Sequence, residues 1–153
     1  MDRYEKTFTV RWADCDANGH MRNTAYSEYA TEVRMAYLTE NGFGFEKFLE
    51  TKVGPVILRE EIDYLRELRM GAQITVDFSS LGLSPDGARF KVKHDLTRAD
   101  GKLAARVTLL GGWMDLHTRR LAPPPEALAD LLRALARGEG FEVLPNVGEK
   151  RPA

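Results

Sequence analysis

The chain of 153 residues has a single cysteine, Cys15, which excludes an intramolecular disulfide and any cysteine-cluster zinc site. That fits a reducing compartment. Long apolar runs are missing: no stretch approaches the ~18 residues a membrane span requires. The N-terminal segment MDRYEKTFTVRW carries charges where a signal peptide needs an apolar run. A soluble, cytoplasmic protein with no membrane partner is therefore expected. An excess of either charge is also missing. Lys and Arg number 22 against 23 Asp and Glu, leaving a net charge of −1, which disfavours a surface given over to nucleic acid. No HExxH or comparable ligand spacing is present, so no metal and no cofactor are expected.

What remains is an ordinary globular composition, 43% hydrophobic and 29% charged, enough for one core. No internal repeat and no composition break divides it. A single domain over residues 1–138 is expected, followed by a loose tail over 139–153.

The pattern along the chain reads as one strand, one long helix and then several long strands. Thr7–Trp12 alternates and is rich in β-formers. Asp14–Arg22, with Asn18 and Gly19, reads as a loop. From Thr24 to Glu40, Tyr26, Tyr29, Ala30, Val33 and Tyr37 recur at three-to-four spacing, which gathers them on one helical stripe. Asn23 is the expected N-cap and Asn41-Gly42 the stop. A connector, Phe43–Lys52, leads to strands over Val56–Leu68, Gln73–Leu83, Ala88–Arg98 and Leu103–Leu116. Pro85-Asp86-Gly87 and Asp100-Gly101 supply turns between the last three. Pro123-Pro124-Pro125 introduces a final helix, Glu126–Arg137. This is an α+β arrangement, one long helix against an antiparallel sheet of about five strands. A lone helix cannot cover both faces of such a sheet, so a homodimer or homotetramer is expected.

The chemistry concentrates before the long helix, where Asp14, Asp16, Asn18, His20 and Asn23 lie within one short loop. The first backbone N–H groups of a helix lack internal partners and carry the positive end of its dipole. A substrate carbonyl placed there would have its oxyanion stabilised, while a carboxylate attacks it or activates water and His20 moves protons. Taken alone, Asp and Asn in a loop more often make local turns.

The order Asp16-x-Asn18-x-His20-x-x-Asn23-x-x-Tyr26 resembles the active-site signature of hot-dog-fold acyl thioesterases. It is similar to the acyl-carrier-protein branch, whose motif runs Asp-x-Asn-x-His-x-Asn-Asn-x-x-Tyr. It also resembles the 4-hydroxybenzoyl-CoA thioesterase branch, in which Asp-Cys-Asp precedes a glycine and the long helix; here these are Asp14-Cys15-Asp16 and Gly19. The resemblance covers about Lys6 to Leu121. It implies a hot-dog fold, a long central helix wrapped by the sheet, and hydrolysis of an acyl thioester carried on CoA or, second, on acyl-carrier protein. It implies Asp16 as the catalytic carboxylate, as nucleophile or general base, and the backbone N–H of Asn23 as the oxyanion donor. Asn18 and His20 match polar partners of the first branch, and Glu67 matches its glutamate after Tyr-x-Arg. Arg22 departs from that branch, which has Asn there, and His20 departs from the CoA branch. The rival readings are a hot-dog dehydratase or hydratase on enoyl thioesters, and a non-catalytic acyl-CoA binder.

Other residues carry weaker signals. Cys15 lies between two aspartates, which disfavour its thiolate, so it reads as a small buried residue. Glu61 and Glu67 share a face if their strand is regular. Arg59, Arg66, Arg69, Arg89, Lys91 and Lys93 are available for CoA phosphates, though a solvated face is the simpler reading. Tyr29, Val33, Phe43, Phe45 and Phe48 suggest an apolar chamber, and His94 and His117 read as structural.

Overall fold

In a computed structural model, which describes residues 3–149, the alternation of apolar residues becomes a curled sheet around one helix. Strand β1 spans Tyr4–Thr9, one turn of 3-10 helix Trp12–Asp14, and helix α1 Ala25–Glu40. A short helix α2, Phe45–Thr51, precedes strands β2, Val53–Tyr64, β3, Gln73–Leu83, β4, Arg89–Arg98, and β5, Leu103–Asp115. A two-residue strand β6, Arg120–Leu121, helix α3, Glu126–Ala134, and strand β7, Arg137–Val143, complete the chain.

The main sheet runs β1-β3-β4-β5-β2, with every neighbour antiparallel. On β4 the alternation is clean: Phe90, Val92, His94 and Leu96 are buried, while Arg89, Lys91, Lys93 and Asp95 lie on the outer face. α1 lies across the inner face and buries Tyr26, Tyr29, Ala30, Val33, Tyr37 and Leu38. Its stripe meets Val76, Phe78, Val92, Val107 and Leu109 of the sheet in one core. Burial of each such side chain contributes about 1.5–3 kcal/mol before the entropy of ordering is subtracted. Gly111 of β5 permits the tightest contact. A Cβ there would sit 2.6 Å from the Val56 carbonyl oxygen and 2.7 Å from the Phe90 ring.

The structure differs from the sequence reading in several places. The expected connector contains α2, whose Phe48 packs on Phe43. The strand expected over Val56–Leu68 begins at Val53 and stops at Tyr64, so Glu67 is off the strand and shares no regular face with Glu61. The final helix ends at Ala134. The segment expected as a tail forms β7, parallel to the end of β3 along the edge that β1 leaves vacant. Of that tail, residues 150–153 lie outside the described residues.

The first residue before α1 is Thr24 rather than Asn23, and no side-chain cap bond is made there. The Ala25 N–H donates to the Arg22 carbonyl at 3.0 Å, so the chain enters the helix through a turn already helical at Thr24.

Candidate active site

Asp14 anchors the loop that precedes α1. Its carboxylate is fully buried and accepts bonds from Arg11 Nε at 3.0 Å, Arg11 Nη2 at 2.8 Å and the Arg11 backbone N–H at 3.2 Å. The Tyr29 hydroxyl of α1 donates to the same carboxylate. The Arg11 bonds hold the Asp14 carboxyl down at about 2, against the opposing push of burial. The Asp14 carbonyl then accepts the Arg22 N–H at 2.8 Å, tying the loop's exit to its entry.

Between those ties, Asp16 builds a tight turn. Its Oδ1 accepts the Asn18 N–H at 2.9 Å and the His20 N–H at 3.4 Å. Its backbone N–H donates to the His20 carbonyl at 2.9 Å, and its carbonyl accepts from Gly19 at 3.0 Å. Gly19 has φ +75°, a conformation L side chains rarely adopt. Among the described residues Asp16 Oδ2 has no protein donor, and the residue is exposed.

His20 is brought to Glu67 by backbone pairing. The Met21 N–H donates to the Leu68 carbonyl at 2.6 Å and the Met70 N–H to the Gly19 carbonyl at 3.2 Å. His20 and Arg69 form an isolated bridge, so Glu67 falls beside the histidine. His20 Nε2 lies 3.0 Å from Glu67 Oε2, and Arg69 Nη2 lies 3.0 Å from Glu67 Oε1. These contacts, Arg69 first, hold the Glu67 carboxyl below its ordinary value. A surface cavity of about 490 Å³ adjoins Glu67, flanked by Arg69 and Arg98.

Asn23 stands at the mouth of α1. Among the described residues its backbone N–H has no protein acceptor, and its carbonyl accepts the Tyr64 hydroxyl at 3.1 Å. Tyr26 is buried edge-on against Tyr64, ring centroids 5.0 Å apart, so this motif tyrosine packs rather than reaching the loop surface. The Asn18 side chain is exposed; its N–H, not its carboxamide, bonds to Asp16.

The loop and the Glu67 segment are thus brought together. The sequence reading missed the supports: Arg11, Tyr29 and the stapling role of Arg22. Arg22 donates to the Ala13 carbonyl and, at 2.9 Å, to Thr24 Oγ1, joining the loop to the first turn of α1. A cation at that position was legible as a departure from the motif, not as a staple.

The apolar chamber differs from expectation. Tyr29 points at Asp14, Phe43 packs on Phe48, and Phe45 is 74% exposed. A cavity of about 210 Å³ instead lies beneath the middle of α1, walled by Met35, Leu38, Phe78, Phe90 and Trp113. The cations considered for phosphate contacts have protein partners: Arg59 with Glu61, Lys91 with Glu142, Lys93 with Asp77 and Asp95. Cys15 is half-buried, its Sγ 3.3 Å from the Arg11 carbonyl.

A long helix set in a curled antiparallel sheet, with an acidic loop pinned before the helix, defines a hot-dog-fold protein of the thioesterase type. Residues 10–132 match the family model described as the thioesterase-like superfamily, and the chain belongs to that family. No curated protein matches the sequence. Among solved structures the chain is similar to a hypothetical protein of Staphylococcus aureus in complex with CoA. The two share 23% identity over 99% of this chain and 96% of that one, with a TM-score of 0.81. It is also similar to a 1,4-dihydroxy-2-naphthoyl-CoA thioesterase from Synechocystis, at 17% identity, 88% and 98% coverage and a TM-score of 0.78. A putative oleoyl thioesterase from Lactobacillus plantarum gives 19% identity, 98% and 55% coverage and a TM-score of 0.81. No described helix is long and apolar enough to cross a membrane.

Proposed function

We propose that this protein hydrolyses an acyl thioester of CoA, with Asp16 as the catalytic carboxylate. The observation that carries this reading is the state of Asp16: Oδ1 is spent on holding the loop, while Oδ2 has no donor among the described residues. In the reaction Oδ2 takes a proton from water, and the water oxygen attacks the thioester carbonyl carbon. The resulting oxyanion faces the N–H of Asn23 and the first turn of α1, where one well-aimed donor is worth about 3 kcal/mol. The C–S bond then breaks, and the departing thiolate takes up the proton to leave acid and thiol. Direct attack by Oδ2, with water opening the mixed anhydride, has the same stoichiometry. His20, held by Glu67, is the polar group set to move or steady a proton near the loop.

CoA as carrier is supported by the CoA-bound Staphylococcus aureus relative. Self-association is part of the same reading. β2 ends the strand order, runs 12 residues, and exposes Ile57 and Leu58 at 53% each, an edge suited to a second copy.

The test is thiol release from a panel of acyl-CoAs by wild type and Asp16→Ala. Thiol release that the variant loses supports the assignment. Full activity in the variant, hydration of an enoyl thioester without thiol release, or tight binding without turnover each overturns it.

A further inference from the structure

The cavity beneath α1 contains a feature that an apolar chamber does not need. Arg34 lies four residues from both Ala30 and Leu38, which are buried, so it occupies the core-facing side of α1. Arg34 lines the cavity together with Met35, Leu38, Phe78, Phe90 and Trp113. Burial holds its pKa down to about 10, with Glu60 the one charge opposing that shift.

The partners of Arg34 are neutral. Nη2 donates to Thr31 Oγ1 at 2.9 Å, and Nη1 lies 3.2 Å from His94 Nε2. The other ring nitrogen, Nδ1, is 2.7 Å from the Asp77 carbonyl oxygen. A carbonyl only accepts, so Nδ1 carries the proton and Nε2 is the acceptor for Arg34. His94 is fully buried, and burial with the nearby Arg34 charge pushes its pKa down to about 3, so the ring is neutral. No carboxylate forms an ion pair with Arg34 among the described residues. A guanidinium has five N–H donors, and these contacts engage two.

A second observation is independent of Arg34. Trp113 is 2% exposed and lines the same cavity, and its indole N–H is buried with no acceptor among the described residues. A buried donor left without an acceptor costs about 1–3 kcal/mol. The cavity therefore combines apolar walls with one charged donor, beside it lies a buried indole N–H without an acceptor among the described residues, and the Thr31 hydroxyl is already taken up by Arg34. Such a set is complementary to an oxygen anion on an otherwise apolar body.

Resting on the thioesterase reading, we propose that this cavity takes the far end of the acyl group and that this end bears a carboxylate. The substrate class is then an ω-carboxyacyl thioester, with Arg34 as the specificity-determining residue and the Trp113 N–H as a second donor. Nine residues separate Ala25 from Arg34, which is about 14 Å of helix. Long helical side chains lean back toward the N-terminus, which shortens that span. One acyl chain of medium length reaches from the mouth of α1 to the guanidinium.

The experiment compares hexanoyl-CoA with adipoyl-CoA, which differ in the terminal carboxylate, and uses their non-hydrolysable thioether analogues for calorimetry. Wild type is expected to favour the carboxylate member by about tenfold or more, in kcat/KM and in Kd. Arg34→Met erases that preference, so the ratio of the two substrates' kcat/KM values falls to about one, and Trp113→Phe reduces it by a smaller factor. Arg34→Lys keeps the charge, loses the planar fork, and retains part of the preference. Equal binding of the two analogues, or a preference unchanged in Arg34→Met, overturns the inference. So does loss of self-association in Arg34→Met with the preference intact, which would assign the guanidinium to a carboxylate of a second copy. Turnover and binding separate the two readings. Absence of thiol release from any acyl-CoA defeats the thioesterase reading, whereas the calorimetric comparison still decides the role of Arg34.

Discussion

His20 Nε2 lies 3.0 Å from Glu67 Oε2, and the two residues come from loops on opposite sides of the helix-and-strand unit α1–β2. The contact follows from the backbone bonds of Met21 to Leu68 and Met70 to Gly19. Glu67 is thus fixed by a pairing of loops, with Arg69 closing its other oxygen.

If the pair acts as a unit, its two members lose their effect together. His20→Ala and Glu67→Ala are expected each to lower kcat/KM by about tenfold or more, and the double variant to fall little further. The corresponding coupling energy is about 0.5–3 kcal/mol. A double-variant cycle measured on one acyl-CoA checks this, and strictly additive losses would show that the contact has no part in turnover.

Asp16 combines two duties that different substitutions separate. Asp16→Asn retains Oδ1 as acceptor for the Asn18 and His20 N–H groups, so the loop and the thermal midpoint stay near wild type. Its kcat is expected to drop by about a hundredfold or more, because the neutral amide neither attacks nor takes a proton. Asp16→Ala loses activity and also about 0.5–1.5 kcal/mol of stability with the loop bonds. Circular dichroism melts beside thiol-release rates distinguish the two; an active Asp16→Asn would sink the assignment.

How far the sequence carried depends on the physical kind of signal. α1 and the long strands were legible because one buried face imposes a period on ten or more residues, as in β4. β7 was not. It has two glycines, its residues are mostly exposed, and its pairing with β3 is parallel and distant in sequence. α2 is too short for its periodicity to register. At the site, Asp16, Asn18, His20 and Asn23 were legible because polar residues cluster before a helix. Glu67 was found by resemblance but put on the wrong element, since no glycine or proline marks the end of β2 at Tyr64 and the first glycine to follow is Gly71. Arg34 was detectable as a charge between Ala30 and Leu38 on an apolar stripe, and was hidden by its neighbours' regular spacing.

The buried Asp14 carboxylate gives an acid-side prediction. Its pKa of about 2 is below the ordinary 3.8, so the unfolded chain binds the extra proton between those values. The stabilisation is fully present above about pH 4 and is lost as the pH falls toward 2. Tyr29→Phe removes one donor to this carboxylate and is expected to cost about 1–3 kcal/mol. Urea denaturation at neutral pH measures that cost; an unchanged midpoint would mean the hydroxyl adds nothing to the anchor.

The pH dependence of stability nearer neutrality turns on His94. Its ring is stacked on Phe78 at 4.9 Å and meets Arg34 at Nε2 and the Asp77 carbonyl at Nδ1, with Lys93 and Asp95 the nearby charges on the opposite face of β4. The folded value is depressed to about 3, against 6.5 for the ordinary group, so below pH 6.5 the unfolded chain takes up a proton that the fold refuses. Stability is therefore complete above about pH 6.5 and declines as the pH falls toward 3, with a limiting slope for one proton of about 1.4 kcal/mol per pH unit. His94→Gln retains an amide donor for the Asp77 carbonyl and an acceptor for Arg34 but does not titrate. Its unfolding free energy, followed by urea denaturation between pH 4.5 and 7, is expected to be flatter than that of wild type by up to that slope. Parallel curves for the two proteins would show that His94 is as free to take a proton in the fold as in the unfolded chain.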